Sequence, residues 1–171
     1  METVIVSIIC IALIVFGGMT MSQGFMTSVD ASTSGLDEIG QRDEIIMRTE
    51  LQPVSANLPS NNTLELILEN SGQTKLADFD RWDFIVHYYD STENYSIKWL
   101  PYTEDTLDDN EWELVWIRLN GNDEIFEPNV LNPEEQIMIR AQLNPSVGDN
   151  TTNMVVTATP SGVTTSTYFS P

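Results

Sequence analysis

The chain has 171 residues, which is enough for one ordinary domain and one accessory element. Its formal net charge of −19 argues against nucleic acid as a partner, because a phosphate-binding surface needs a basic patch and the seven Lys and Arg residues are scattered among 26 acids. The single cysteine, Cys10, allows no disulfide within the chain, and with the single histidine, His87, it cannot supply the usual ligands of a structural zinc site.

The chain begins with a long apolar segment. No charged residue occurs from Thr3 to Val29, and the part up to Met21 is already long enough to span a bilayer core as a helix. Apolar residues recur as far as Ile39, so we predict one helix from Thr3 to about Gly40, roughly 57 Å long. A helix that is apolar nearly all round must be buried, either in lipid or in a bundle of identical helices. The predicted bundle residues are Val4, Ile5, Ile8, Ile9, Ala12, Leu13, Phe16 and Gly17.

Beyond Arg42 the pattern changes to short β-branched and aromatic runs separated by Asn, Gly and Pro turn signals. We predict strands at 45–51, 64–68, 82–89, 95–100, 111–119, 136–143, 154–159 and 165–169, with turns that include Pro53 and 57–59. This pattern predicts an antiparallel, immunoglobulin-like β-sandwich. The predicted fold class is therefore α+β, with a helix over 1–42 and a sandwich over 43–171. Its predicted core contains Trp82, Phe84, Tyr88, Trp99, Trp112, Trp116 and Ile137.

The sequence contains no arrangement of residues that is typical of an active site. His87 lies in the middle of a predicted strand, and neither a phosphate loop nor a dinucleotide fingerprint occurs. The densest acidic stretch, 104–111, lacks the glycine of a helix-loop-helix calcium site, which favours a solvated loop. We therefore predict a protein that is not an enzyme and that holds no cofactor and no metal.

Three Asn-x-Ser/Thr sequons lie in predicted loops or at strand ends, where glycans are tolerated. Their acceptor residues are Asn61, Asn94 and Asn150. They matter only if the sandwich is exported by an organism that glycosylates such sites.

The N-terminal sequence METVIVSIICIALIVFGGMTMSQGF resembles the mature N-terminal helix of archaellins, the archaeal flagellins, and more broadly of type IV pilin-like proteins. The stretch from Ser34 to Leu76 is also similar to the passage from helix to first strands in archaellins and minor archaellum proteins. Bacterial type IV pilins usually carry Glu at the fifth mature position, where this chain has Ile5. This departure favours an archaellin over a type IV pilin.

The resemblance implies a homo-oligomeric, helical surface filament used for motility, with the apolar helices in its core. It also implies insertion in the cytoplasmic membrane before assembly, removal of a short basic leader by a prepilin-type peptidase, and contact with the archaellum assembly machinery. The expected location is extracellular, and glycans are possible partners. Two alternatives stay open: a minor or stator-type archaellum protein, and a membrane-anchored extracellular binding or adhesion module.

Overall fold

The computed structural model describes residues 2–171, which contain one α-helix, one 3₁₀ turn and nine β-strands. The helix α1 spans Glu2–Arg48, and the 3₁₀ turn spans Phe79–Arg81. The strands are β1 Leu51–Ser60, β2 Thr63–Asn70, β3 Asp83–Tyr89, β4 Tyr95–Leu100, β5 Trp112–Leu119, β6 Asn122–Asp123, β7 Gln136–Gln142, β8 Asn153–Ala158 and β9 Thr164–Phe169. The chain divides into two compact units, a helical unit that ends at Asp43 and a second unit, Glu44–Pro171.

Helix α1 contains the whole uncharged run and continues past the predicted end near Gly40 as far as Arg48. The prediction of a strand over 45–51 is therefore wrong for residues 45–48. The last turns of α1 consist largely of good helix formers, and Arg48 forms an ion pair with Glu44 at 3.1 Å. The hydroxyl of Thr49 donates to the carbonyl oxygen of Ile45 at 2.7 Å, which occupies one of the free carbonyls at the helix end.

The strands form two antiparallel sheets that enclose one core. One sheet has the order β1-β2-β7-β5-β6 and the other has the order β4-β3-β8-β9. Apart from the short hairpin strand β6 and the edge strand β4, this is the arrangement of an immunoglobulin-like sandwich, whose first, second, fifth and fourth strands form one sheet. The predicted α+β fold, with a long apolar helix and an antiparallel sandwich, is confirmed.

Strand β1 was predicted poorly because two of its prolines were interpreted as turn signals. Pro53 and Pro59 both lie within β1. The register of β1 against β2 shifts between Pro53 and Ser55, and again between Asn57 and Ser60. A proline is tolerated there because β1 is an edge strand and its outer N–H groups have no ladder partner. The short strand β6 was also missed; it follows a tight turn in which Asn120 and Gly121 both have positive φ.

The core lies between the two sheets. Five of the predicted core residues are buried: Trp82, Phe84, Tyr88, Trp112 and Ile137. The other two predictions are wrong, because Trp99 is 57% exposed and Trp116 is only half-buried. Both project from the outer side of a strand, where neither can reach the inter-sheet core.

Candidate assembly surfaces

The apolar side chains of α1 are exposed on all sides of the helix. All eight predicted bundle residues are exposed: Val4, Ile5, Ile8, Ile9, Ala12, Leu13, Phe16 and Gly17. The helix is long and apolar enough to cross a membrane. Its uncharged part, from Thr3 to Val29, is about 40 Å long at 1.5 Å per residue, whereas a bilayer core is about 30 Å thick. The apolar surface is therefore longer than a single membrane crossing requires.

Several hydroxyl groups on α1 are satisfied by the helix itself. Ser7 donates to the carbonyl oxygen of Thr3 at 2.9 Å, and Thr20 donates to the carbonyl oxygen of Gly17 at 2.9 Å. Thr27 and Thr33 make the same kind of bond to carbonyls one turn earlier. Because these four hydroxyls need no outside partner, they can be buried in lipid or between helices without becoming unpaired donors.

In the sandwich, the histidine and the acidic stretch that could take part in catalysis or metal binding lie apart in the sequence and have different hydrogen-bond partners. The Nδ1 atom of His87 lies 3.0 Å from the hydroxyl of Tyr95, on the outer side of β3. The acidic stretch 104–111 includes Asp109, whose carboxylate accepts a hydrogen bond from the Asn144 amide at 2.7 Å. Within residues 2–171, His, Cys, Asp and Glu side chains do not form a group of three or more that is arranged to hold a metal ion.

The three sequons lie at one end of the sandwich. Asn61 follows β1, and its side-chain amide donates to Asp149 at 2.9 Å, next to Asn150. The backbone N–H of Val147 donates to the carbonyl oxygen of Asn61 at 2.6 Å. All three acceptor residues are exposed, and this end of the sandwich is opposite to the end where β1 begins and Leu51 pairs with Asn70.

The loop that contains the second sequon is organised by Asp90. The Asp90 carboxylate accepts hydrogen bonds from the Thr92 hydroxyl at 2.6 Å, from the Thr92 N–H at 2.8 Å and from the Asn94 N–H at 3.0 Å. These bonds, that of the Thr92 hydroxyl first, hold the pKa of Asp90 below its ordinary value. The pKa of the neighbouring Tyr88 is raised, first by burial and then by the negative charge of Asp90. The loop is thus held by three hydrogen bonds to one charged group, although Asn94 itself faces solvent.

Sequence analysis missed the exposed aromatic side chains of the four-stranded sheet. In β4, Tyr95, Ile97 and Trp99 alternate with smaller or charged residues, and the sequence predicts Trp99 in the core. The structure turns this apolar side of β4 outward and buries Leu100 on the other side. Alternation located the strand correctly, but it did not identify which of its two sides meets the partner sheet.

No protein-family model and no curated protein matches the sequence. Several solved structures share the fold, among them three archaellum structures. The archaellum periplasmic stator protein FlaG from Sulfolobus acidocaldarius has a TM-score of 0.53 and 21% identity, over 71% of this chain and 99% of that chain. The stator complex of FlaF and FlaG from the same organism has a TM-score of 0.54 and 21% identity, over 71% of this chain and 89% of that one.

The third structure, the archaeal flagellum of Methanospirillum hungatei strain JF1, has a TM-score of 0.57 and 11% identity, and the match covers 96% of this chain and 90% of that chain. The match to this flagellum therefore covers nearly the whole of this chain. The two FlaG matches cover a share of the chain that is about as long as the sandwich. The chain has the archaellin-like fold, in which a long apolar N-terminal helix precedes an antiparallel immunoglobulin-like sandwich.

Proposed function

We propose that this chain is a structural, non-enzymatic component of an archaellum-like surface filament, and that it is the subunit that polymerises. The observation that carries the proposal is the apolar, exposed surface of α1, which is longer than a bilayer core. In a filament, the helices of neighbouring subunits bury this surface against one another. The match to the M. hungatei flagellum, which extends over 96% of this chain, supports the same assignment.

Residues Val4 to Gly17 supply the contacts between helices in this proposal. Most of them are aliphatic and pack by shape alone, while Gly17 and Gly18 have no atom near the position of a Cβ and leave room for a close neighbour. Before assembly, the same surface holds the subunit in the cytoplasmic membrane, from which the assembly machinery withdraws it. The sandwich then lies outside the cell, with the sequons Asn61, Asn94 and Asn150 available for glycans.

The test is a charge in the middle of the apolar surface. Leu13→Lys places an ammonium group among apolar neighbours, at a cost of several kcal/mol unless it finds a partner. Gln41→Lys is the matched control, because Gln41 is exposed and lies in the polar part of the helix. Electron microscopy of sheared cell surfaces should show filaments for Gln41→Lys but not for Leu13→Lys, with both proteins present in the cells by immunoblot. Filaments of normal number and length from the Leu13→Lys strain would overturn the proposal.

A second candidate function is a stator-type archaellum protein. It is favoured by one observation: the match to FlaG covers 99% of that chain at 21% identity, which is higher than the identity to the flagellum. In that case α1 is a permanent membrane anchor and the chain is scarce. Quantitative mass spectrometry of sheared filaments and of membranes separates the two, because a polymerising subunit dominates the filament fraction and a stator protein stays with the membrane.

A further inference from the structure

The outward side of the four-stranded sheet carries an apolar and aromatic patch on β4, β3 and β8 that ends at Tyr168 on β9, where the other outward residues, Thr164 and Ser166, are polar. We call this patch the aromatic face. Strand pairing places Ile97, His87, Met154 and Tyr168 in one row across β4, β3, β8 and β9. These four side chains point away from the core because they alternate with inward-facing residues such as Val86, which is fully buried. A single continuous row of large side chains thus crosses the whole sheet.

Two further rows extend the aromatic face along the strands. Trp99 pairs with Ile85, which in turn pairs with Val156, on one side of the first row. Tyr95 pairs with Tyr89 on the other side, with ring centroids 5.1 Å apart. The face is therefore three residues deep along β3 and β4, and it is apolar or aromatic throughout these rows.

Much of this face is open to solvent. The exposed fractions of its largest side chains are 57% for Trp99, 55% for Tyr95, 59% for Ile97 and 70% for Tyr168. If a fully exposed aromatic side chain presents about 200 Å², these residues together with their half-buried neighbours present on the order of 600–800 Å². The largest apolar patch on a typical monomer is about 300–600 Å², and a standard protein interface buries about 800 Å² per partner.

The aromatic face also lacks the charges that cover the rest of the sandwich. Among the outward residues of the four described strands, the acid Asp83 is the only Asp, Glu, Lys or Arg, and it accepts a hydrogen bond from Trp99 Nε1 at 2.9 Å. The outer side of the other sheet is different. There Arg140 lies between Glu65, at 3.0 Å, and Glu113, at 3.5 Å. One sheet thus has a charged outer side suited to water, and the other does not.

We infer that the aromatic face binds the same face of a second copy of this chain. Two copies each carry a net charge of −19, so they repel wherever their acidic surfaces meet, and the aromatic face is where they can approach without juxtaposed acids. Its composition, aromatic and aliphatic with few charges, is that of an interface core. A basic partner would instead be attracted to the acidic loops.

The pairing is isologous, with the two-fold axis running along the row Ile97, His87, Met154 and Tyr168, so that each of these residues faces its own copy. Face-to-face contact of this kind removes apolar area on both copies at once. It involves no residue of α1, so it goes beyond polymerisation through the helix, and it holds or fails independently of that proposal.

The first experiment uses the second compact unit, residues 44–171, whose buried apolar residues all come from within it. Sedimentation should show a reversible dimer. Ile97→Asp places like charges opposite each other in the dimer, and it should raise the dissociation constant about tenfold or more. Leu119→Asp, an exposed apolar residue at the end of β5 on the other sheet, is the matched control and should leave dimerisation unchanged.

A mixing experiment distinguishes a second copy from any other occupant. Ile97→Lys should also dimerise weakly by itself, because its ammonium groups repel. An equimolar mixture of Ile97→Asp and Ile97→Lys should form a mixed dimer more tightly than either variant alone, since opposite charges then face each other. Circular dichroism must show the same β-rich spectrum for both variants.

The second experiment uses the full chain in membranes, in a Cys10→Ser background. A short bifunctional maleimide should join two copies of His87→Cys, near the two-fold axis, but not two copies of Glu65→Cys on the other sheet. A sandwich that stays monomeric at millimolar concentration would overturn the inference. So would equal weakening by Ile97→Asp and Leu119→Asp, equal cross-linking at positions 65 and 87, or saturable glycan binding through Trp99 by a sandwich that does not associate with itself.

Discussion

Phe84 and Trp112 stack across the sandwich, with ring centroids 5.6 Å apart and an angle of 26° between the rings. Phe84 belongs to β3 and Trp112 to β5, so this contact joins the two sheets rather than two strands of one sheet. Both side chains are fully buried. The stack therefore bears directly on how firmly the sheets hold together.

The first prediction concerns this stack. Trp112→Ala should lower the free energy of unfolding of the sandwich by about 3–5 kcal/mol, because it leaves a large cavity between the sheets. Trp116→Ala, on the outer side of the same strand, removes a half-buried ring that lies 4.5 Å from the guanidinium of Arg118. It should cost roughly 1 kcal/mol. Urea unfolding of residues 44–171, followed by circular dichroism, measures both values, and equal costs would contradict the assignment of Trp112 to the core.

A finer test uses Trp112→Phe. Within residues 2–171 the Nε1 atom of Trp112 finds no hydrogen-bond acceptor although it is buried. Phenylalanine removes this unpaired donor while keeping most of the ring, so part of the packing loss is offset by the removal of about 1–3 kcal/mol of desolvation cost. Trp112→Phe should therefore be far less destabilising than Trp112→Ala in the same urea titration.

The second prediction concerns Gly72, where the β2 end of the sandwich approaches the chain that leads into β1. A Cβ at this position would lie 2.5 Å from the backbone nitrogen of Glu50 and 2.6 Å from the carbonyl oxygen of Arg48. Gly72→Ala should destabilise the sandwich by about 1–3 kcal/mol, because backbone atoms must shift. Gly162→Ala is the control. It introduces backbone strain, because Gly162 has a φ of 90°, but no steric clash, because no atom lies within 4 Å of its Cβ position. Thermal melting of both variants should show the larger loss for Gly72→Ala, with weakened amide-exchange protection at residues 72 and 73, whose N–H groups donate to the carbonyl oxygens of Glu50 and Arg48.

The third prediction concerns Asp90 and pH. Because the pKa of Asp90 is held below its ordinary value of 3.8 in the folded state, its charge stabilises the fold above that pH, and this contribution is lost as the pH falls through the lowered pKa. Asp90→Asn keeps an acceptor oxygen but has no charge. It should be less stable than the wild type at pH 7, and the difference should shrink at pH values below 3.8. Asp105→Asn, in an exposed loop, is the control, and a difference for Asp90→Asn that does not change with pH would contradict this account.

The fourth prediction follows from the proposed filament. Stacking many subunits of net charge −19 crowds like charges, which interact over about 10 Å at 0.1 M ionic strength and further in dilute salt. Added salt or divalent cations should therefore raise the dissociation temperature of purified filaments. Calorimetry across a salt series, with calcium and with a chelator, measures this effect. Filament stability that is the same from millimolar to molar salt, and that does not respond to the chelator, would show that charge crowding has no part in assembly.

Sequence alone was enough to identify the two kinds of structure in this chain. The uncharged run from Thr3 to Val29 specifies a long apolar helix, because few other conformations satisfy its backbone away from water. The alternating runs from 64 onward predicted seven of the strands within a residue or two, because period-2 alternation and turn residues are local properties. Burial of Trp82, Phe84 and Trp112 was also predicted correctly.

Only the tertiary structure decided which side of each strand is covered. In β4, both sides carry a large apolar residue, so alternation cannot tell whether Trp99 or Leu100 meets the other sheet. The pairing of β4 with β3, and of β3 with β8, turns Leu100 inward and leaves Trp99 in the aromatic face. The same holds at the end of α1, where the apolar, β-branched run at residues 45–47 is compatible with a strand but continues a helix that is already formed. A local pattern records what a segment can bury, whereas its partners in space determine what it does bury.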